Sequence, residues 1–369
     1  MDKITVTSPL LPPLKEVIPY LEDIWDRKWL TNNGIYHQQL EKELCEYLGV
    51  PYISLFSNGT LALITALQSL DLEGEVITTP YTFAATAHAI KWNNLKPVFV
   101  DIDPNTMNLD PKCIEAAITN NTCAILPVHV YGTPCDNEAI TAIAKRHNLK
   151  VVYDAAHAFG VKENGQSILN YGDLSILSFH ATKTYSTIEG GAVICKTREE
   201  KDKLDRLKNF GFESEEVIKA CGMNAKLNEI QAAFGLVSLT KVSAAIERRS
   251  EIAALYEQCF SDVAGISTLQ AKNEVVLNHS YFPIIIDEAE FGIDRDKLAL
   301  KLEENQIFAR RYFYPIVTEF EIYKSEFSET PVAKDISNRV LCLPIHAELA
   351  FEEQQRVIDA ILKSRGGEK

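Results

Sequence analysis

Between about residue 37 and residue 240, short β-branched or apolar runs alternate with helical patterns, and few architectures tolerate that rhythm. The runs are Tyr52–Phe56, Glu75–Thr79, Lys96–Asp101, Cys123–Val128, Lys150–Asp154, Leu174–Ser178 and Gly191–Cys195. Helical patterns separate most of them, including Thr60–Leu70, Phe83–Trp92, Pro111–Ile118 and Asn137–Arg146. Strands alternating with helices imply a mainly parallel sheet covered on both faces. The expectation is an α/β fold built on one large seven-stranded sheet. The connection from Ser178 to Gly191 is too short for a helical crossover, so one of the last two strands is expected to run antiparallel.

The ends of the chain follow another pattern. A Pro- and Trp-rich start carries one amphipathic helix around Leu14–Trp29, then a turn at Thr31-Asn32-Asn33-Gly34. A long helical pattern opens near Leu227. Beyond it come Leu277–Ile286, Arg295–Asn305, Phe308–Phe313 and Phe351–Lys363 in a different order of helix and strand. The expected division is an N-terminal segment and large domain over residues 1–245, and a smaller C-terminal α/β domain over 246–369.

Composition excludes several functions. The net charge of −14 argues against nucleic acid as a partner, since binding it needs a basic field that releases counterions. No run approaches the roughly 18 apolar residues of a membrane span. The start, Met1-Asp2-Lys3-Ile4-Thr5-Val6, has no basic-then-apolar leader, which points to the cytoplasm. The eight cysteines are scattered without a C-x-x-C pair, so neither a disulfide framework nor a metal site is expected.

Four features fall at strand ends in the large domain, where open α/β sheets place their ligands. Ser57-Asn58-Gly59-Thr60 follows a strand and opens a helix, so it either caps that helix or offers N–H groups to an anion. Val151-Val152-Tyr153-Asp154 ends in a carboxylate that can keep a ring nitrogen protonated or cap the next helix. Ser178-Phe179-His180-Ala181-Thr182-Lys183 brings a lysine just past a strand, where desolvation can turn it from a surface cation into a nucleophile or base. Pro80-Tyr81-Thr82-Phe83 supplies an aromatic, for the core or for stacking on a flat ring. A phosphate cradle, a carboxylate, a stacking aromatic and an amine on one sheet edge are the parts that a pyridoxal phosphate (PLP) enzyme must supply.

At these residues the chain resembles the DegT family of sugar-nucleotide aminotransferases, which have the aspartate aminotransferase-like (type I) PLP fold. The likeness continues through Lys28-Trp29-Leu30-Thr31-Asn32-Asn33-Gly34, Gly222-Met223-Asn224-Ala225-Lys226-Leu227-Asn228-Glu229, Arg311-Tyr312-Phe313-Tyr314-Pro315 and Leu343-Pro344-Ile345. It implies that Lys183 links covalently to PLP and shuttles protons, with pyridoxamine phosphate formed midway. By the same resemblance Asp154 pairs with the ring nitrogen, Phe83 stacks on the ring and His157 stands near its O3′. Gly59, Thr60 and Ser178 would hold the phosphate. Asn224 would reach the phosphate of a neighbouring subunit, which implies a homodimer with shared sites.

The resemblance also implies L-glutamate as donor and a dTDP-keto-sugar as acceptor. The run Val340–Pro344 and the N-terminal region are most similar to the branch acting on dTDP-4-keto-6-deoxyglucose. Candidates for the substrate are Lys28, Arg310, Arg311, Tyr312 and Tyr314; Arg310 and Arg311 read equally well as solvated surface cations. Amination at C3 is the near alternative. Relatives with histidine in place of the lysine are dehydratases, and Lys183 disfavours that chemistry; a non-catalytic sugar-nucleotide-binding homologue is the third reading. His180, His129 and His346 are expected to be core or supporting residues.

Overall fold

The computed structural model describes residues 2–270, 274–326 and 328–365. Seven strands form the central sheet: β1 (Tyr52–Phe56), β2 (Glu75–Thr78), β3 (Lys96–Phe99), β4 (Thr122–Leu126), β5 (Lys150–Asp154), β6 (Leu174–Ser178) and β7 (Gly191–Cys195). Their spatial order is β1-β7-β6-β5-β4-β2-β3. The pairs β3–β2, β2–β4, β4–β5 and β5–β6 are parallel, and β7 alone runs antiparallel to both of its neighbours. Every residue of β2 and β7 is buried, as expected of strands covered on both faces. That double burial is why β7 reads as a continuous small and apolar run, Gly191-Ala192-Val193-Ile194-Cys195.

Helices cover the two faces: α1 (Leu14–Arg27), α2 (Ile35–Leu48), α3 (Gly59–Gln68), α4 (Ala84–Trp92), α5 (Pro111–Ala117), α6 (Asn137–His147), α7 (Arg198–Leu207) and α8 (Glu229–Phe260). Helix α8 has 32 residues and passes through residue 245 without a break. Its first half, with Ala232, Leu236, Leu239 and Val242, packs in a core with Leu40, Ile53 and Phe179. Its second half, with Ile252, Ala253, Tyr256 and Phe260, packs in another with Ile284, Leu298 and Leu341. One helix serves two cores.

The second core lies beside a three-stranded antiparallel sheet, β8 (Ile266–Thr268), β9 (Phe282–Ile286) and β10 (Val340–Leu343), with β9 central. The start of the chain joins it: Ile4–Thr5 pairs in parallel with Ile307–Phe308, and Ile4 is buried in the second core. Among the described residues no helix is long and apolar enough to cross a membrane.

Candidate active site

The carboxyl ends of β1, β2, β5 and β6 converge on one cavity of about 760 Å³. Its wall includes Asn58, Gly59, Thr60, Phe83, Asp154, His157, Ser178 and Lys183, so chain positions more than a hundred residues apart meet at one sheet edge. From the second half of the chain come Tyr281, Tyr312 and Phe313.

Helix α3 supplies the anion-binding end. Asn58 caps it, its Oδ1 accepting from Leu61 N–H at 2.8 Å, and its backbone carbonyl accepts from Ala62 N–H at 3.2 Å. That leaves the Gly59 and Thr60 N–H groups, both in the cavity wall, for a ligand at the positive end of the helix. Capping by Asn58 therefore leaves the start of the helix open to an anion, so the two alternatives read from the sequence do not exclude each other. Glycine is needed at 59 for space: a Cβ there would lie 2.9 Å from Ser178 Cβ. At Gly191 a Cβ would lie 2.6 Å from the Asn58 carbonyl oxygen. The start of β7 pairs Gly191 with both Phe56 and Ser178, so the helix end sits tightly against three strands.

Asp154 ends β5 and is 6% exposed. Its Oδ2 accepts from Thr86 Oγ1 at 2.7 Å, and its Oδ1 from Ala156 N–H at 3.1 Å. Thr86 is in turn 2.7 Å from the Thr82 hydroxyl. Burial pushes the Asp154 carboxyl above the usual carboxylate range, opposed by the Thr86 and Ala156 bonds and by the charge of Lys183. Lys183 shows the converse. Burial pulls its pKa down to about 8, against the pull of Asp154. The Lys183 ammonium also lies 5.8 Å from the centre of the Tyr281 ring.

His157 is held on three sides. Its Nδ1 accepts from Tyr131 N–H at 3.2 Å, its ring lies parallel to Phe313 at 5.9 Å, and Tyr281 packs against it at 4.8 Å. Burial, then the charge of Lys183, holds its pKa well below the ordinary value. With Nδ1 accepting, the ring proton belongs on Nε2. Phe83 stands at the N-cap of α4 and is 62% exposed, an aromatic face on the cavity wall.

Most of the other candidates lie elsewhere in the molecule. Asn224 is exposed and pairs with Asn209, and it is not in the wall of this cavity. Of the five substrate candidates only Tyr312 lines the cavity. Lys28 is the exposed left-handed cap of α1, Arg310 is exposed, Arg311 pairs with Asp296 at 3.0 Å, and Tyr314 stacks on Arg295 at 4.7 Å. His129 is buried and stacked on Tyr153 at 4.7 Å, and His346 is buried as well. Of the two roles expected for His180 the core one fails: it stands in the cavity wall with its side chain 47% exposed.

The sequence reading missed Thr82, Thr86, Tyr281 and Phe313. The threonines had a faint signal, a four-residue spacing across the start of a helix after a strand. Tyr281 had none, since it enters from the residue position just before β9 of the other sheet.

The residues fit PLP on the structure's own terms. The cavity holds a buried carboxylate that a ring N–H⁺ would balance, an amine whose proton burial weakens, and two N–H groups at a helix start for a phosphate. Fold and site together define a type I PLP enzyme. The chain belongs to the DegT/DnrJ/EryC1/StrS aminotransferase family, whose model matches residues 14–362. It is a PLP-dependent aminotransferase. It is 54% identical to a dTDP-4-amino-4,6-dideoxy-D-glucose transaminase of Shigella dysenteriae, over 98% of this chain and 99% of that protein. A transaminase of the same name from Escherichia coli is 47% identical over 97% and 98% of the two chains. Among solved structures, DesI in the presence of its TDP-sugar product superposes with a TM-score of 0.94 at 34% identity, covering 99% of this chain and 94% of that one.

Proposed function

We propose that the enzyme moves the amino group of L-glutamate to C4 of dTDP-4-keto-6-deoxy-D-glucose. The product is dTDP-4-amino-4,6-dideoxy-D-glucose, used for surface polysaccharide such as lipopolysaccharide O-antigen. The observation that carries the choice of sugar is the 54% identity, spread over nearly the full length of both chains, to the Shigella transaminase. The test is a product assay with both substrates, using NMR to locate the new amine. Amination at C4 with gluco configuration supports the reading, and amination of a 3-keto isomer instead would overturn it.

When bound, PLP supplies the electron sink for breaking a C–H bond and the carbon that carries nitrogen between the two substrates. The chain's own residues do the rest. The Gly59 and Thr60 N–H groups and the Ser178 hydroxyl would hold the phosphate at the start of α3. Asp154 would keep the ring nitrogen protonated, its own charge gaining a partner there. Phe83 would cover one ring face, and His157 would donate from Nε2. Lys183, with its pKa near 8, releases its proton readily and can take one from carbon and return it. One lysine serves both halves of the reaction, so ping-pong kinetics are expected.

In this reading the enzyme is a cytoplasmic homodimer of two-domain subunits, residues 1–245 and 246–369. Asn224 lies outside the cavity of its own chain, which suits a residue that completes the partner's phosphate site. Lys28, Arg310, Arg311 and Tyr314 are assigned with Tyr312 to the nucleotide end of the substrate. Light scattering that gives a monomer mass for the active enzyme would overturn the shared-site arrangement.

A further inference from the structure

One pair of titratable side chains in the cavity is left unused by the chemistry above. His180 and Glu189 both line it, with His180 Nε2 3.5 Å from Glu189 Oε1. The imidazole is fixed from its other edge. Its Nδ1 accepts from Thr182 N–H at 3.3 Å and lies 2.8 Å from the Thr182 hydroxyl. A ring that accepts at Nδ1 carries its proton on Nε2, the atom nearest the carboxylate. The backbone of Glu189 is fixed too, its carbonyl accepting from Gln231 Nε2 at 2.6 Å and from Thr187 Oγ1 at 2.8 Å. The result is a carboxylate, about half exposed, beside a fixed imidazole and in the same cavity wall as Lys183.

The two substrates use this cavity in turn and make opposite demands on such a group. Glutamate brings two carboxylates, which gain nothing from a third and are repelled by it. A sugar ring brings hydroxyl donors, and hydrogen bonds to an ionised acceptor are about twice as strong as neutral ones. We propose that Glu189, oriented by His180, is a specificity-determining residue that accepts hydrogen bonds from the ring hydroxyls of the keto-sugar. The proposal rests on the sugar reading above. Glu189 binds substrate; His180 is a positioning residue that acts through it.

The two half-reactions can be followed separately in the holoenzyme by the change in cofactor absorbance. In Glu189→Gln, the second-order rate constant for dTDP-4-keto-6-deoxyglucose is expected to fall about tenfold further than that for glutamate, the scale of one charged hydrogen bond. The loss should fall on KM rather than on the limiting rate. His180→Ala should act in the same direction, and His180→Gln, which keeps an N–H donor, should recover most of the loss. Equal losses in both halves, or no loss in either, would overturn the assignment. Wild-type enzyme that reacts with glutamate but leaves this sugar untouched would overturn the substrate reading and the proposal with it. That failure is distinct because it needs no variant to appear.

Discussion

Lys183 has its pKa pulled down to about 8 by burial, so its neutral fraction grows as pH rises through that value. Capture of PLP by apoprotein requires the neutral amine. The capture rate, read by stopped-flow absorbance, should rise with pH and level off above about 8. A flat profile across that range would contradict the burial argument. Lys183→Ala should lose turnover by at least about 10³-fold, because both nucleophile and proton shuttle go at once. Thr86→Val removes the 2.7 Å bond to Asp154 and leaves a buried carboxylate short of a donor. Cofactor affinity should weaken by about 1–3 kcal/mol, measured as PLP released on dialysis. At this scale the meeting of Lys183 and Asp154 in one cavity was legible, because each follows a strand and strand ends are where such sheets bind ligands. Thr86 was not, since a threonine inside a helix reads as packing until the carboxylate beside it is seen.

Helix α3 begins with a residue that weakens helices, and the contact with Ser178 shows why it is tolerated. Gly59→Ala would place a Cβ 2.9 Å from a side-chain carbon, which a small shift of the helix can relieve. That shift moves the two N–H groups proposed to hold the phosphate, so PLP affinity is expected to fall by about 1–3 kcal/mol. Gly191→Ala would meet backbone instead, the Asn58 carbonyl oxygen at 2.6 Å and Gly59 Cα at 2.7 Å. It should lower the melting temperature more than Gly59→Ala does; equal effects would mean that the strand start can yield. All seven central strands were legible because short β-branched or apolar runs alternate with helical patterns along this part of the chain. Their ends were less so: β3 stops at Phe99, two residues before the expected Asp101. The far wall of the cavity was the least legible element. Tyr281, Tyr312 and Phe313 arrive from the second half of the chain, and neither spacing nor periodicity tells which loop folds over which cavity.

Across the whole molecule, burial holds His37 and His129 each at a pKa of about 3. Below their ordinary value of 6.5 the unfolded chain takes up protons that the folded chain refuses. Stability should therefore fall as pH drops from about 6.5 toward about 3, seen as a declining melting temperature. A melting temperature that holds steady across that window would show that the two rings are protonated in place. The two cores share helix α8, so unfolding one strips packing from the other, and a single cooperative transition is expected. The short parallel pairing of Ile4–Thr5 with Ile307–Phe308 has its own consequence, for biosynthesis. The fourth residue leaves the ribosome about 300 residues before its partner, so at roughly 5–20 residues per second it waits roughly 15–60 s. During that interval the opening strand has no edge to join, and a nascent chain stalled before residue 307 would leave Ile4 outside the core that buries it.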